Sequence, residues 1–195
     1  MRHLLVLGAG TAGTTLVNKM RPLLAAEEWS ITVVDPSAEH HYQPGYLFVP
    51  FGGYTPTEVT RPRAPLLRTG VRLISSEVEL VRPEESQVVL ADGSVLEYDQ
   101  LVIATGTTPR PDQTPGMMGA EWRRSVFDFY TLEGASALAD KLRDWEGGRL
   151  VVHITEMPIK CPVAPLEFAF LADSHFAGKG MRDRVEITYV TPLDG

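Results

Sequence analysis

Cysteine is nearly absent from these 195 residues, where Cys161 stands alone. A single thiol excludes an intrachain disulfide framework and any cysteine-rich metal site, and no pair among His40, His41, His153, His175 and Glu167 has metal-ligand spacing, so no metal ligand set is expected. Thiol redox chemistry would need a second sulfur from outside the sequence. Basic charge is not in excess either. Lys and Arg number 18 against 25 Asp and Glu, a formal charge of −7. That balance argues against a general nucleic-acid binder, which needs a basic face, and against a polybasic membrane anchor. No apolar run approaches the roughly 20 residues of a bilayer-spanning helix. As written, the sequence leaves no room for a secretory leader, because an apolar run begins at His3. A cytoplasmic location is therefore expected.

What is present is a βαβ pattern. The run His3–Leu7 reads as a buried parallel strand. Gly8-Ala-Gly-Thr-Ala-Gly13 follows, then a helical pattern through Leu16, Met20, Leu23 and Leu24 that Pro22 should shorten. Ser30–Val34 is a second strand, ending at Asp35. From Pro36 to Pro65, prolines at 36, 44, 50, 56, 62 and 65 disfavour a long helix and predict loops with short helical pieces. Tyr42, Tyr46, Phe48 and Phe51 argue that this segment is packed.

Val71–Leu80, Gln87–Leu90 and Val95–Tyr98 alternate as strands, the last two joined by a tight turn at Ala91-Asp-Gly-Ser94. Leu101–Ala104 is another apolar strand, followed by Thr105-Gly106. Residues 110–119 read as a linker, and a helix is expected from about Thr131 to Trp145, stopped by Gly147-Gly148. A second strand–helix–strand pattern occupies Arg149–Ile154, Pro162–Phe176 and Val185–Val190. Two or three parallel strands need cover on both faces, so the second domain is expected to be incomplete. The expected domains are residues 1–109, a linker and helix at 110–147, and a partial second domain at 148–195.

Gly8-x-Gly10-x-x-Gly13 sits between a strand and a helix, the context a dinucleotide fingerprint requires. Gly8 permits the tight turn, Gly10 lets backbone approach a pyrophosphate, and Gly13 lets helix and strand pack closely. The helix start at Thr11 and Ala12 offers unpaired N–H groups and a positive dipole end. Asp35, 22 residues beyond Gly13, can accept hydrogen bonds from ribose hydroxyls. A glycine turn with a solvated carboxylate is the plainer alternative.

NAD, NADP and FAD all use this fingerprint. The hairpin and the run Tyr98-Asp-Gln-Leu-Val-Ile-Ala-Thr-Gly106 resemble the two-dinucleotide-binding-domain flavoproteins, across Met1 to about Pro109. The resemblance implies an α/β, Rossmann-like FAD/NAD(P)-binding fold with an inserted β-meander, followed by the start of a second Rossmann-like domain. It implies FAD on Gly8, Gly10, Thr11, Ala12, Gly13 and Asp35, adenine near the Val78 backbone, and Thr105-Gly106 close to the pyrophosphate.

Most relatives in that superfamily carry a second glycine fingerprint after the strand equivalent to Arg149–Ile154. Here Thr155-Glu-Met-Pro-Ile-Lys-Cys-Pro-Val-Ala-Pro165 contains no glycine, three prolines and Glu156. A pyrophosphate could not approach this turn as it approaches Gly10. Lys160-Cys161-Pro162-x-Ala164-Pro165 stands there instead. Pro162 suits the first position of a helix, and a helix N-terminus and a neighbouring Lys both favour a reactive thiolate at Cys161. A buried structural Cys is the alternative reading.

This arrangement resembles the sulfide:quinone oxidoreductase and flavocytochrome c sulfide dehydrogenase family, as does the stretch His41-Tyr-Gln-Pro44. The resemblance implies that Cys161 is one of two redox cysteines near the flavin, and that Pro44 and Gly45 lie on the flavin side. Sulfide or a related small sulfur compound would be oxidised and electrons would pass through FAD to quinone. Peripheral membrane contact on the inner face of the cell membrane and homo-oligomerisation are further implications. Many members carry a Cys after a Ser-Val pair, whereas Ser125-Val126 here precedes Phe127, so any role of that Cys is lost. A type II NADH:quinone dehydrogenase and a non-catalytic FAD-binding module are the competing readings. Glu167, His40, His41, His153 and His175 are weaker candidates. Glu167 reads as a solvated helix residue, His153 as a core residue, and His175 as a favourable cation near a helix C-terminus.

Overall fold

The computed structural model describes residues 1–193. Asp194 and Gly195, the last two of the expected second domain, lie outside the described residues. The chain divides into two compact units, Met1–Tyr42 with Thr60–Gly106, and Gln43–Val59 with the chain from Thr107 onward.

The first unit is built on β1 (Arg2–Leu7), α1 (Thr11–Met20) and β2 (Trp29–Val34). A short antiparallel pair, β3 (Glu39–His41) and β4 (Thr60–Pro62), follows. Then come β5 (Val71–Ile74), β6 (Val78–Arg82), β7 (Gln87–Leu90), β8 (Val95–Glu97) and β9 (Gln100–Ile103). Four strands form a parallel sheet in the order β5-β2-β1-β9, and β6-β7-β8 form an antiparallel meander. Both faces of β1 are buried from Leu4 to Leu7, which is why that part of the strand is apolar throughout rather than alternating. Leu4 and Val6 pack with Val17 of α1, Ile31 and Val33. Leu5 and Leu7 face the other way, with Val34 and the meander residues Val88 and Leu90.

The run Val71–Leu80, expected as one strand, is two. β5 pairs parallel with β2, and β6 pairs antiparallel with β7. The alternation is the same in both halves. The break at Ser75-Ser-Glu77 reflects a change of partner sheet, which local pattern does not encode.

The second unit holds α2 (Leu132–Arg143), β10 (Gly148–His153), α3 (Ala164–Gly178) and β11 (Val185–Val190), with β10 and β11 paired in parallel. The Thr131 side chain caps α2 by accepting from the Gly134 N–H at 3.0 Å. Short 3₁₀ turns at Gln43–Leu47 and Val49–Phe51 are the helical pieces expected of the proline-rich segment. They pack within this unit. Leu47 joins a core of Leu138, Leu142, Val152, Phe168, Ala172, Phe176, Met181 and Val185, and Tyr46, Val49 and Val59 surround Ala135. The contiguous first domain expected at 1–109 is therefore interrupted: Gln43–Val59 spends its apolar side chains elsewhere. No helix among the described residues is long and apolar enough to cross a membrane.

Candidate functional site

The parallel strands of the first unit bring their C-terminal ends to one edge, where the glycine motif lies. Gly8 follows β1 and donates from its N–H to the Val34 carbonyl at 2.7 Å. Its φ of +92° lies in the left-handed region that strains residues with a Cβ. A Cβ there would also lie 2.8 Å from the Thr105 Cα, so Gly8 and Thr105-Gly106 are neighbours across the β1–β9 edge. A Cβ on Gly13 would strike the Gly8 carbonyl oxygen. Gly10 differs from both: a Cβ would meet nothing within 4 Å. Gly8 and Gly13 thus let the turn close, and Gly10 leaves space outside it.

Gly10 is the N-cap of α1 and offers no side chain to satisfy the helix's first N–H groups, and the first turn carries no acidic residue. Thr11 and Ala12 are exposed there. Free N–H groups, a positive dipole end and a Cβ-sized space suit a pyrophosphate. The residues therefore fit the phosphate-bearing half of FAD. Thr14, not singled out from the sequence, donates its hydroxyl to the Ala9 carbonyl at 2.9 Å and braces the turn from within.

Asp35 ends the β2 edge. Its Oδ2 accepts from the Ala9 N–H at 2.7 Å and its Oδ1 from the Ser37 N–H at 2.9 Å. Arg63 reaches the same carboxylate at 3.1 Å. Sequence reasoning missed Arg63, which carries no local signal because its partners lie in other segments. Val78 opens β6 opposite Leu90 and packs on the Leu5–Leu7 side of the sheet.

Pro44 and Cys161 belong to the second unit. Pro44 is exposed within the 3₁₀ turn Gln43–Leu47. The Lys160 ammonium donates to the Gln43 side-chain oxygen, which ties the cysteine loop to that turn. Cys161 is exposed but is not at the helix N-terminus expected for it. α3 begins at Ala164, with Val163 as its N-cap and Pro165 in the first turn. Cys161 precedes the cap, in a left-handed conformation with φ +50°. Pro162 disfavours the right-handed helical conformation in the residue before it, and Cys161, left-handed instead, stays outside the helix. Two bonds hold its carbonyl, from the Ala164 N–H at 3.0 Å and from the Tyr130 hydroxyl at 3.2 Å. Burial pushes Tyr130 up to about 12, and the nearby Cys161 and Tyr189 side chains add to the rise.

The turn after β10 has the character expected of it. Thr155–Pro158 are exposed, and no glycine lies between Ile154 and Ala164. Pro165 removes an N–H from the first turn of α3. His153, expected in the core, is exposed, because its position on β10 points away from Val152 and Ile154. His175 is not the favoured cation expected. Burial lowers its pKa from 6.5, and Lys179 adds to the shift. Glu167 is exposed, as read.

Residues 2–153 match the family model described as pyridine nucleotide-disulphide oxidoreductase. The mitochondrial sulfide:quinone oxidoreductase of Mus musculus is 25% identical over 191 residues, 98% of this chain and 42% of that protein. The X-ray structure of the sulfide:quinone oxidoreductase from Aquifex aeolicus superposes with a TM-score of 0.80 at 24% identity, over 97% of this chain and 43% of that one. A type II NADH:quinone oxidoreductase of Staphylococcus aureus is 31% identical over 107 residues, 54% of this chain and 26% of that protein. The chain spans less than half the length of these relatives. With its Rossmann-like sheet and glycine turn, the chain belongs to the pyridine nucleotide-disulphide oxidoreductase family of FAD-binding flavoproteins.

Proposed function

We propose that this chain forms the FAD-binding and cysteine-bearing part of a flavoprotein of the sulfide:quinone oxidoreductase type. The observation that carries this reading is the turn from Thr155 to Val163. It lacks glycine, removes N–H donors through proline, and presents one exposed cysteine where most relatives would receive a second dinucleotide. The likeness to sulfide:quinone oxidoreductases extends over nearly the whole chain, with a TM-score of 0.80, whereas type II NADH:quinone oxidoreductases of Staphylococcus match 54% and 73% of it, and NDH2 of Plasmodium falciparum superposes over 96% with a TM-score of only 0.58.

In this reading the α1 N-terminus and Gly10 hold the pyrophosphate, and Asp35 takes the ribose. FAD supplies the acceptor of two electrons. Cys161 is half of a disulfide whose other sulfur comes from outside these 195 residues. Hydrosulfide attacks that disulfide, the S–S bond breaks, one cysteine becomes a persulfide and the other leaves as a thiolate. A nucleophilic thiol or sulfide acceptor would take the outer sulfur and leave two thiolates, and re-forming their disulfide would release the electron pair that bound FAD would accept and pass on to quinone, met at a membrane surface.

The test is made on the protein as expressed from its gene and loaded with FAD. Sulfide should bleach the flavin absorbance and NADH should not, and Cys161→Ser should abolish sulfide-dependent quinone reduction. Unchanged turnover in Cys161→Ser would overturn the role of this residue. Tight NADH binding with flavin bleaching would favour the type II NADH:quinone dehydrogenase reading instead.

A further inference from the structure

Arg63 is 4% exposed, an unusual degree of burial for a guanidinium. It directly follows β4, and its own N–H donates to the Ala38 carbonyl at 2.9 Å, extending the β3–β4 pairing. From that anchor its fork donates to three carbonyls and pairs with one carboxylate. Nε donates to the Ser37 carbonyl at 2.9 Å. One terminal nitrogen donates to the Ala9 carbonyl, 54 residues away, and the other to the Glu39 carbonyl. The nitrogen on Ala9 also lies 3.1 Å from Asp35 Oδ2.

The arrangement distributes the lone pairs of Asp35. A carboxylate offers about four acceptor positions, two on each oxygen. Oδ2 accepts from the Ala9 N–H and is ion-paired with the Arg63 guanidinium at 3.1 Å. Oδ1 is occupied once, by the Ser37 N–H. Oδ1 keeps an open acceptor position, while Oδ2 is engaged by both the Ala9 N–H and the guanidinium charge. The same guanidinium holds the carbonyl of Ala9, the residue between Gly8 and Gly10, which Thr14 braces from the helix side, so one side chain links the ribose acceptor to the phosphate turn.

We propose that Arg63 is the positioning residue of the nucleotide cradle: it turns the Asp35 carboxylate so that Oδ1 accepts from a ribose hydroxyl, and it fixes the glycine turn in register with it. The inference rests on the reading that Asp35 serves the ribose. Lysine could not replace this group, because a single ammonium cannot span acceptors that a planar fork reaches together.

The test uses the full chain cleared of flavin, titrated calorimetrically with ADP and with 2′-deoxy-ADP. The wild type should prefer ADP by about tenfold, the value of one hydrogen bond to a charged acceptor. Asp35→Asn should reduce that preference. Arg63→Gln and Arg63→Lys should each bring the ratio of the two affinities close to one, beyond any uniform weakening. Arg63→Lys keeps the charge and the stem, and it carries the test if Arg63→Gln does not fold. A folded Arg63→Lys that binds both nucleotides more weakly but keeps the wild-type ratio would reduce Arg63 to a structural role and overturn the proposal. If the wild type shows no preference for ADP, the ribose reading of Asp35 fails and this inference falls with it. A preference lost in Asp35→Asn but kept in both Arg63 variants sinks the Arg63 inference alone.

Discussion

The Tyr130 hydroxyl donates to the Cys161 carbonyl at 3.2 Å, and this bond helps to hold the chain's one cysteine in its left-handed conformation. Tyr130→Phe removes that donor and leaves the ring contact with Phe129, centroids 5.1 Å apart. The expected result is a changed rate of Cys161 alkylation by iodoacetamide at neutral pH, with stability lowered by about 1 kcal/mol or less. An alkylation rate identical to wild type would show that the Ala164 N–H suffices.

Tyr46 and Tyr130 both titrate near 12 in the folded protein. Burial is the main cause in each, with Glu133 adding to the rise at Tyr46. The folded state therefore keeps protons that the unfolded chain releases above its ordinary value of 10. Stability is fully present below pH 10 and falls as pH rises from about 10 toward 12. Urea melts across that range should show the decline, and Tyr46→Phe should flatten it.

His175 runs in the opposite direction. Its ring lies between Phe51 and Phe176, centroids 5.4 and 5.3 Å away, and burial with Lys179 lowers its pKa from 6.5. The unfolded chain takes up this proton first as pH drops, so stability present above pH 6.5 is lost on acidification below it. Denaturation midpoints measured between pH 7.5 and 5 should fall less steeply in His175→Phe than in wild type.

The glycines of the cradle separate folding from binding. Gly10 has a negative φ of −68° and open space where a Cβ would go. Gly10→Ala should therefore change stability by at most about 1 kcal/mol while filling the place a pyrophosphate needs. Gly13→Ala pushes α1 against the Gly8 carbonyl and should cost about 1–3 kcal/mol as well as binding. Thermal melts and FAD titrations of both variants check the contrast. A Gly10→Ala protein with normal FAD affinity would remove Gly10 from the site.

Phe168 anchors the second unit, stacked on Phe129 at 4.6 Å and tilted on Phe51 at 4.9 Å. It is 3% exposed. Phe168→Ala should cost about 3–5 kcal/mol, read as a shift in denaturation midpoint, and should loosen the 3₁₀ turns at Gln43–Phe51 through loss of the Phe51 contact.

Much of the cradle was legible locally. Gly8, Gly10 and Gly13 act within one turn, where backbone conformation and close approach are matters of a few residues, and the strand before and helix after are visible as hydrophobic period. The hairpin at Gln87–Glu97 was legible for the same reason, since Asp92-Gly93 turns the chain on itself with Gly93 at φ +82°. Arg63 was not, because its worth depends on acceptors at Ala9, Ser37 and Glu39 that only folding assembles. The start of α3 was misplaced for a subtler reason: Pro162 and Pro165 both suit a first turn, and the later one holds it.

The amino-acid sequence by itself determined the chemistry available: one thiol, one complete glycine fingerprint, one carboxylate beyond it, and a second turn without glycine. Those are properties of residue type and short spacing, where sterics and hydrogen-bond donors act over a single turn. The tertiary structure decided which strand joins which sheet, that Gln43–Val59 packs with the second unit, and that a buried guanidinium ties Asp35 to Ala9. Such choices are made by burying apolar surface and satisfying buried polar groups between segments tens of residues apart, and those energies exist only once the segments meet.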